Sequence, residues 1–413
     1  MTAQDVAILA YNITLIPVIA ASLFFLILSM ISLLSSGKPK PKFEKLKELP
    51  FVSIQIATYN DPIAKRCVEK CLQFEYPKDR YEIVIADDST NEQTQKMLSD
   101  FEKQNPGIVK YCHRNNRNGF KAGALKEAMK VTKGEYIAVF DSDWVPEKDW
   151  LIKAIQPFSN PKIGLVQTMQ GFYNNYKNLI TRFAAYTLTV YHTIILPINS
   201  MNNAVLFCGT GGIIRRKAFE EAGGWNPQSL TEDSELSVKI LAKGYKSVYL
   251  EIETPSEVPE TIEGFVKQQM RWCYGNTRIF FDNAPLILYK RGLSLKQRIT
   301  ITLSTLGNAI APIIILMTIF GYSGWFLGEI TLLGISDLIS LAGRFLMTSG
   351  FLVIAFMTLH RKKTAKEFPY LVLALFSMGV VLAIANSVAF TKAILNIKLQ
   401  WFCTPKSENE GVV

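Results

Sequence analysis

The sequence predicts an α/β domain with a mostly parallel, mixed sheet, inserted between transmembrane α-helices. Three observations carry that expectation. Residues 8–34 and 299–395 are strongly apolar, whereas residues 38–283 have the composition of a soluble domain. Within that middle part, short β-rich runs alternate with helical stretches, the pattern of βαβ units. Basic clusters flank the apolar segments, as they do on the cytoplasmic side of membrane proteins.

The chain has 413 residues, enough for a large core and more besides. Residues 8–34 are almost free of charge and long enough to cross a hydrocarbon core of about 30 Å. They lack a basic leader and a small-residue cleavage site, so they read as a retained anchor and not a signal peptide. The net charge of +10 sits largely in "GKPKPKFEKLKE" and in "HRKKTAKE" at 360–367. Either could be a solubilising run, but apolar neighbours favour membrane flanks. No nucleic-acid motif accompanies them, and a nucleic-acid partner is not expected. The six cysteines show no metal-like pairing. Cys67 and Cys71 stand four apart, stacked on one helical face. In a cytoplasmic domain they would be reduced, buried thiols.

Three β-rich runs end in polar residues. "FVSIQIATYN" delivers Tyr59 and Asn60, with Asp61 next; "YEIVIADDST" delivers Asp87 and Asp88; "GEYIAVFDSDW" delivers Asp141 and Asp143. A lone Asp-Asp is usually an Asx turn. Three such endings converge on the crevice outside the carboxyl ends of a parallel sheet, where ligands bind. Two carboxylates one residue apart at a strand end can share a hard divalent cation and the phosphate oxygens it holds. Between these runs, "NRNGFKAGALKEAM" places Lys121 where it could meet a diphosphate, or merely face solvent at a helix entry.

"TEDSELSVK" at 231–239 puts Glu232, Asp233 and Glu235 at the start of an amphipathic helix whose apolar side is Leu236, Val238, Ile240 and Leu241. Thr231 reads as its N-cap. Acidic residues there suit the macrodipole, worth a few tenths of a kcal/mol; alternatively one of them is a catalytic base. "QQMRW" places Gln268, Arg271 and Trp272 on one helical face. Arg can pair with a diphosphate and Trp can stack on a sugar, although alone the triplet reads as an amphipathic helix edge.

The order "TYND … ADDST … NGFKAGAL … FDSDW … FCGTGGIIRR … TEDSE … QQMRW" resembles family 2 glycosyltransferases of the membrane-bound synthase type, which include cellulose, mannan, glucomannan, hyaluronan and chitin synthases. The resemblance covers residues 52–275 and implies a GT-A nucleotide-sugar-binding fold. It assigns Tyr59, Asn60 and Asp61 to the nucleotide pocket, with Asp61 replacing the commoner Glu. Asp87 or Asp88 would meet the nucleoside and Lys121 the diphosphate. Asp141 and Asp143 match the motif for Mg²⁺ or Mn²⁺, with Asp143 the more direct ligand. Cys208, Gly209 and Thr210 of "FCGT" fall beside the acceptor. Asp233, next to Glu232, matches the base of a Thr-Glu-Asp motif; Thr231 could still cap, and the helix dipole would tend to keep the Asp233 pKa low. Gln268, Arg271 and Trp272 match the floor of an acceptor tunnel. The run "EVPETIEGFVKQQMRW" is similar to plant-type mannan and glucomannan synthases.

The activity implied is metal-dependent, inverting transfer of a hexose from a UDP- or GDP-sugar to a growing β-linked polysaccharide, which is extruded. Single-sugar transfer to a lipid acceptor is the alternative. A binding subunit that had lost catalysis would be expected to lack Asp143, Asp233 or Arg271, and all are present. The organisation expected is an anchor and basic linker over 1–47, a cytoplasmic catalytic domain over 48–282, interface helices over 283–300, and membrane helices beyond. So few helices for a polymer channel imply a homo-oligomer or a partner. Spans are expected over 300–322, 344–359 and 370–395, and Glu329 and Asp337 make the stretch between the first two ambiguous. "WFCTPK" resembles a gating-loop motif through Thr404 and Lys406, with Trp401 and Cys403 departing from it. Three spans would put that motif on the far side, so a gating role requires an even number or a segment that does not cross.

Overall fold

The computed structural model describes residues 1–35, 43–328 and 335–400. Its centre is a seven-stranded sheet: β1 (Val52–Thr58), β2 (Tyr81–Asp87), β3 (Val109–His113), β4 (Tyr136–Asp141), β5 (Ile163–Phe172), β6 (Gly212–Arg215) and β7 (Lys246–Ser256). The spatial order is β3-β2-β1-β4-β6-β5-β7. Strand β1 runs parallel to β2 and β4, β2 to β3 and β5 to β7; only β6 is antiparallel to its neighbours. The mixed, mostly parallel sheet expected from the alternating pattern is therefore present. Strands β1, β2 and β4 are buried on both faces, which is why they read as continuous apolar runs. One side packs Ile54, Ile56, Phe140 and Trp150; the other packs Val139, Leu165, Phe207 and Leu236.

Register sets the site. Thr58 pairs with Asp87 and Ala57 with Asp141, so the three carboxyl ends finish level. The helix after β1, Ala64–Leu72, buries Cys67 and Cys71 beneath the sheet, and burial pushes the Cys67 thiol well up.

One helical run departs from the expectation of soluble composition between 38 and 283. Leu179–Met201 is 23 residues long and apolar enough to cross a membrane. It contains a π-helical turn over Tyr191–Ile195. Half of its most apolar window is buried, with Phe183 packed on Phe265. Its apolar residues thus serve the junction of the α/β domain with the membrane half.

Among the described residues, Ala3–Ser35, Leu295–Phe326 and Ala365–Ile394 are also long and apolar enough to cross. Ile339–Thr348 and Gly350–Arg361 form a further pair, bent by 52°. Interface helices were expected to end near 300, but Leu295–Leu306 runs through a short 3-10 turn directly into Ile310–Phe326. Glu329, the Asp337 side chain, Trp401, Cys403, Thr404 and Lys406 lie outside the described residues.

Candidate active site

A cavity of about 460 Å³ opens at the carboxyl ends of β1, β2 and β4. The residues after β1 build its first wall. The Arg117 guanidinium lies 3.3 Å from the centre of the Tyr59 ring, a close cation–π stack. Asn60 adopts a left-handed φ of 49°, tolerable for Asn. Its Oδ1 accepts the backbone N–H groups of Thr90 and Asn91 at 2.8 and 2.9 Å, tying the β2 loop to the β1 loop. Asp61 Oδ2 accepts the Ser142 hydroxyl at 2.5 Å, fastening the same loop to the Asp-Ser-Asp stretch.

The two aspartates after β2 divide. Asp88 lines the cavity and is gripped by Arg114 through Nε and Nη2 at 2.7 and 2.6 Å. Asp87 is fully buried away from the cavity wall. Its carboxylate accepts Tyr111 Oη at 2.8 Å and Ser89 N at 3.0 Å, with His113 Nδ1 also 3.0 Å away. Of the pair expected to meet a nucleoside, Asp88 has the access; Asp87 holds three strand ends together.

Asp141 and Asp143 both line the cavity. Lys121 donates to Asp141 Oδ1 at 2.5 Å and to the Gly209 carbonyl at 2.9 Å. Burial alone would lower the Lys121 pKa, but Asp141, Glu232 and Asp233 outweigh it and hold it above its ordinary value. Asp143 is almost fully buried, and its Oδ2 accepts the Glu257 N–H at 2.8 Å. Two hard carboxylates on one wall fit a divalent cation that takes its remaining oxygens from a bound diphosphate. Among the described residues no three His, Cys, Asp or Glu side chains form a self-sufficient metal site.

Asp233 stands beside Lys121 across Gly209: a Cβ on that glycine would lie 2.6 Å from Asp233 Oδ2 and 3.4 Å from Lys121 Nζ. Asp233 Oδ1 accepts the Ser234 N–H at 2.7 Å. Burial first, and then the charge of Glu232, raise its pKa to about 7 against the pull of Ser234, Lys121 and Arg271. A helix N-terminus was expected to keep it low; desolvation overrides the dipole. Thr231 precedes the helix but makes no side-chain capping bond among the described residues. Its side chain instead packs against Gly275, where a Cβ would lie 2.4 Å away. Glu232 lines the cavity, while Glu235 turns outward to Lys239 at 2.6 Å. Cys208 and Thr210 line the cavity, and the Thr210 hydroxyl accepts the Asp141 N–H at 2.9 Å. Gly209 sits directly behind Asp233.

Helix Ile262–Asp282 closes the floor with Gln268, Arg271 and Trp272. Gln268 Oε1 and Arg271 Nε are buried and have no hydrogen-bond partner among the described residues, an uncommon state for native groups. Both are free to engage a ligand.

Residues 136–386, more than half of the chain, match glycosyl transferase family group 2. The chain belongs to this family. Its relatives include glucomannan 4-beta-mannosyltransferase 9 of Arabidopsis thaliana, 34% identical over 300 residues that cover 68% of this chain and 56% of the relative. Glucomannan 4-beta-mannosyltransferase 1 of Cyamopsis tetragonoloba is 33% identical over 272 residues, covering 63% and 51% respectively. The chain spans about half the length of these curated relatives. Among solved structures, the mannosyltransferase PcManGT from Pyrobaculum calidifontis, in complex with GDP-Man and Mn²⁺, aligns with a TM-score of 0.66 and 16% identity. It covers 94% of this chain and 100% of its own, so the two share a GT-A fold.

Two cavity residues of this glycosyltransferase-family chain were not singled out from sequence. Arg117 lies inside the "NRNGFKAGAL" run, where it reads as a loop cation. Glu257 follows β7 and lines the cavity. Its Oε1 accepts the Tyr173 hydroxyl at 2.7 Å, and Tyr173 is bonded in turn by Arg66. A carboxylate immediately after a strand, as in the other three endings, was the signal available.

Proposed function

We propose that the chain transfers a hexosyl unit, mannose being favoured by the names of its relatives, from a nucleoside-diphosphate sugar to the end of a β-linked polysaccharide, with inversion and extrusion. The observation that carries this reading is one cavity lined together by Asp233, Lys121, Asp141 and Asp143. In the proposed step the acceptor hydroxyl oxygen attacks the anomeric carbon and its proton passes to Asp233. The bond from that carbon to the diphosphate oxygen breaks, and the nucleoside diphosphate leaves with the electron pair. A carboxylate with a pKa of about 7 suits such a base, being largely ionised just above neutrality.

The donor would lie along the Tyr59 and Asp88 wall, with its diphosphate towards Lys121 and Arg271. Asp141 and Asp143 would hold Mg²⁺ or Mn²⁺, which supplies positive charge to the departing diphosphate. The neighbouring structure, a complex with GDP-Man and Mn²⁺, supports a divalent cation beside a nucleotide-sugar donor. Gln268 and Trp272 would bind acceptor hydroxyls and a sugar face. The helices that suit a bilayer support placing the chain in a membrane, and the basic clusters after the apolar segments favour the cytoplasmic side for the α/β domain.

The test is incubation of the purified protein, with Mn²⁺ or Mg²⁺, against radiolabelled GDP- and UDP-hexoses, separating products by size. A high-molecular-weight product, absent with Asp233→Asn, is expected. A single labelled glycolipid would replace polymer synthesis by one-step lipid glycosylation.

A further inference from the structure

We infer that helix Phe368–Ile394, although long and apolar enough to cross a bilayer, begins and ends on the side of the α/β domain and lies beneath it with one face in lipid. Among the described residues the chain then crosses three times, through Ala3–Ser35, Leu295–Phe326 and the bent pair. At the helix start, Glu367 is ion-paired with Arg182, and the Tyr370 hydroxyl donates to the Leu179 carbonyl at 2.5 Å. Leu371 and Ala374 pack on Phe183 and Phe265. Near its end, Arg278 Nη1 donates to the Ala393 carbonyl at 3.1 Å, and Ala389 and Ala393 are fully buried against Cys273 and Tyr274. Beyond it, Leu399 packs with Leu230 and Met270, and Leu230 lines the catalytic cavity.

These partners belong to the α/β domain. Phe265 is buried in the first turn of helix Ile262–Asp282, Arg271 of the same helix lines the cavity, and Ile279 packs on Leu241 in the domain interior. A helix fastened at both ends to helix Ile262–Asp282 and its surroundings cannot place one end across a core about 30 Å thick.

The other apolar helices fix the sides. Gln4 Nε2 donates to Gly324 O at 3.5 Å at one end of the bundle, and Arg361 Nη1 donates to Ser32 Oγ at 2.6 Å at the other. Ile310–Phe326 therefore runs antiparallel to Ala3–Ser35, and the bent pair ending at Arg361 runs parallel to it, with Gly350 N–H bonded to Ser22 Oγ at 2.9 Å. Both basic clusters follow the end that meets the α/β domain, as the positive-inside bias requires. Helix Phe368–Ile394 starts from that same side.

Hydrocarbon is the occupant its bare face fits. Leu373, Phe376, Val380, Ile384 and Val388 form one exposed stripe, and residues 368–391 carry no charge. On this face Ser377 and Ser387 return their hydroxyls to the helix's own carbonyls; the Asn386 Oδ1 is buried away from it.

The inference is independent of which acceptor the enzyme uses, so sidedness tests it without an assay. Single cysteines replacing the exposed Lys366, Lys398 and Thr2 in the full chain are labelled with an impermeant maleimide in inside-out and right-side-out vesicles. Lys366→Cys and Lys398→Cys should react in the same orientation and Thr2→Cys in the other. Reaction of the first two in opposite orientations would overturn the inference. Depth gives a second reading, using fluorophores at Leu373→Cys, Val380→Cys and Val388→Cys with nitroxide-lipid quenching. Similar depths are expected; a crossing helix would spread them by about 22 Å, at about 1.5 Å per residue.

Discussion

Gly209 and Asp233 stand so close that a Cβ on the glycine would lie 2.6 Å from the Asp233 carboxylate. Gly209 also has a φ of +80° and gives its carbonyl to Lys121. Gly209→Ala would push the carboxylate aside and strain the turn. A fall in kcat of about 100-fold is expected, of the order that a 1 Å misplacement costs, with donor affinity within a few-fold by calorimetry. Wild-type turnover in this variant would show that the Asp233 position is not critical.

Asp233→Asn removes the proposed base while keeping its shape. Turnover should fall by about 10² to 10⁴-fold, the usual contribution of a general base, while binding of the nucleotide sugar survives. Initial rates and a direct binding measurement together separate the two.

The raised pKa sets the pH profile. With Asp233 at about 7, rate should climb between pH 6 and pH 8. Burial is the larger cause and remains in Glu232→Gln, but the second cause, the Glu232 charge, is gone; the ascending limb should therefore move to lower pH. Stability runs the other way. A carboxyl whose folded pKa lies above its unfolded value of 3.8 stabilises fully below that value, and the contribution is lost as pH rises through about 7. Asp233→Asn should hence melt higher than wild type at pH 8, and the gap should close towards pH 5.

Chelation by EDTA should abolish transfer, and Mn²⁺ or Mg²⁺ should restore it. Asp143→Asn should leave little to restore, because it removes charge from the proposed buried metal ligand, bonded to the Glu257 N–H. Metal titration followed by donor binding reads this without turnover; tight metal-dependent binding in the variant would move the site elsewhere.

Gly275→Ala tests the packing under the Thr231 turn. The added methyl would overlap the Thr231 side chain, and overpacking costs about 1–3 kcal/mol. A lowered melting temperature with a reduced rate is expected; an unchanged melt would mean that the two helices simply part.

The strands and their carboxyl endings were legible because buried parallel strands write unbroken apolar runs, and Asp88, Asp141 and Asp143 follow such runs directly. Asp233 was legible only beside the other motifs, since its spacing equally describes a helix start. What sequence could not give was orientation. Asp87 and Asp88 are adjacent yet face opposite ways, Asn60 spends its amide on the backbone, and Thr231 turns to Gly275 instead of capping. Helix Leu179–Met201 was missed because burial in a junction needs less hydrophobicity than lipid does. The parity of the membrane helices lies in contacts made over more than a hundred residues, such as Arg278 with Ala393.

The bond from the Glu257 N–H to Asp143 joins the donor wall to the segment that leads straight into helix Ile262–Asp282. On the proposed reading, a donor and metal held at Asp143 would brace the segment that leads to the proposed acceptor floor. Binding should be ordered, donor before acceptor. An oligosaccharide presented to the empty protein should meet an unbraced floor and bind more weakly than kinetics under turnover would suggest.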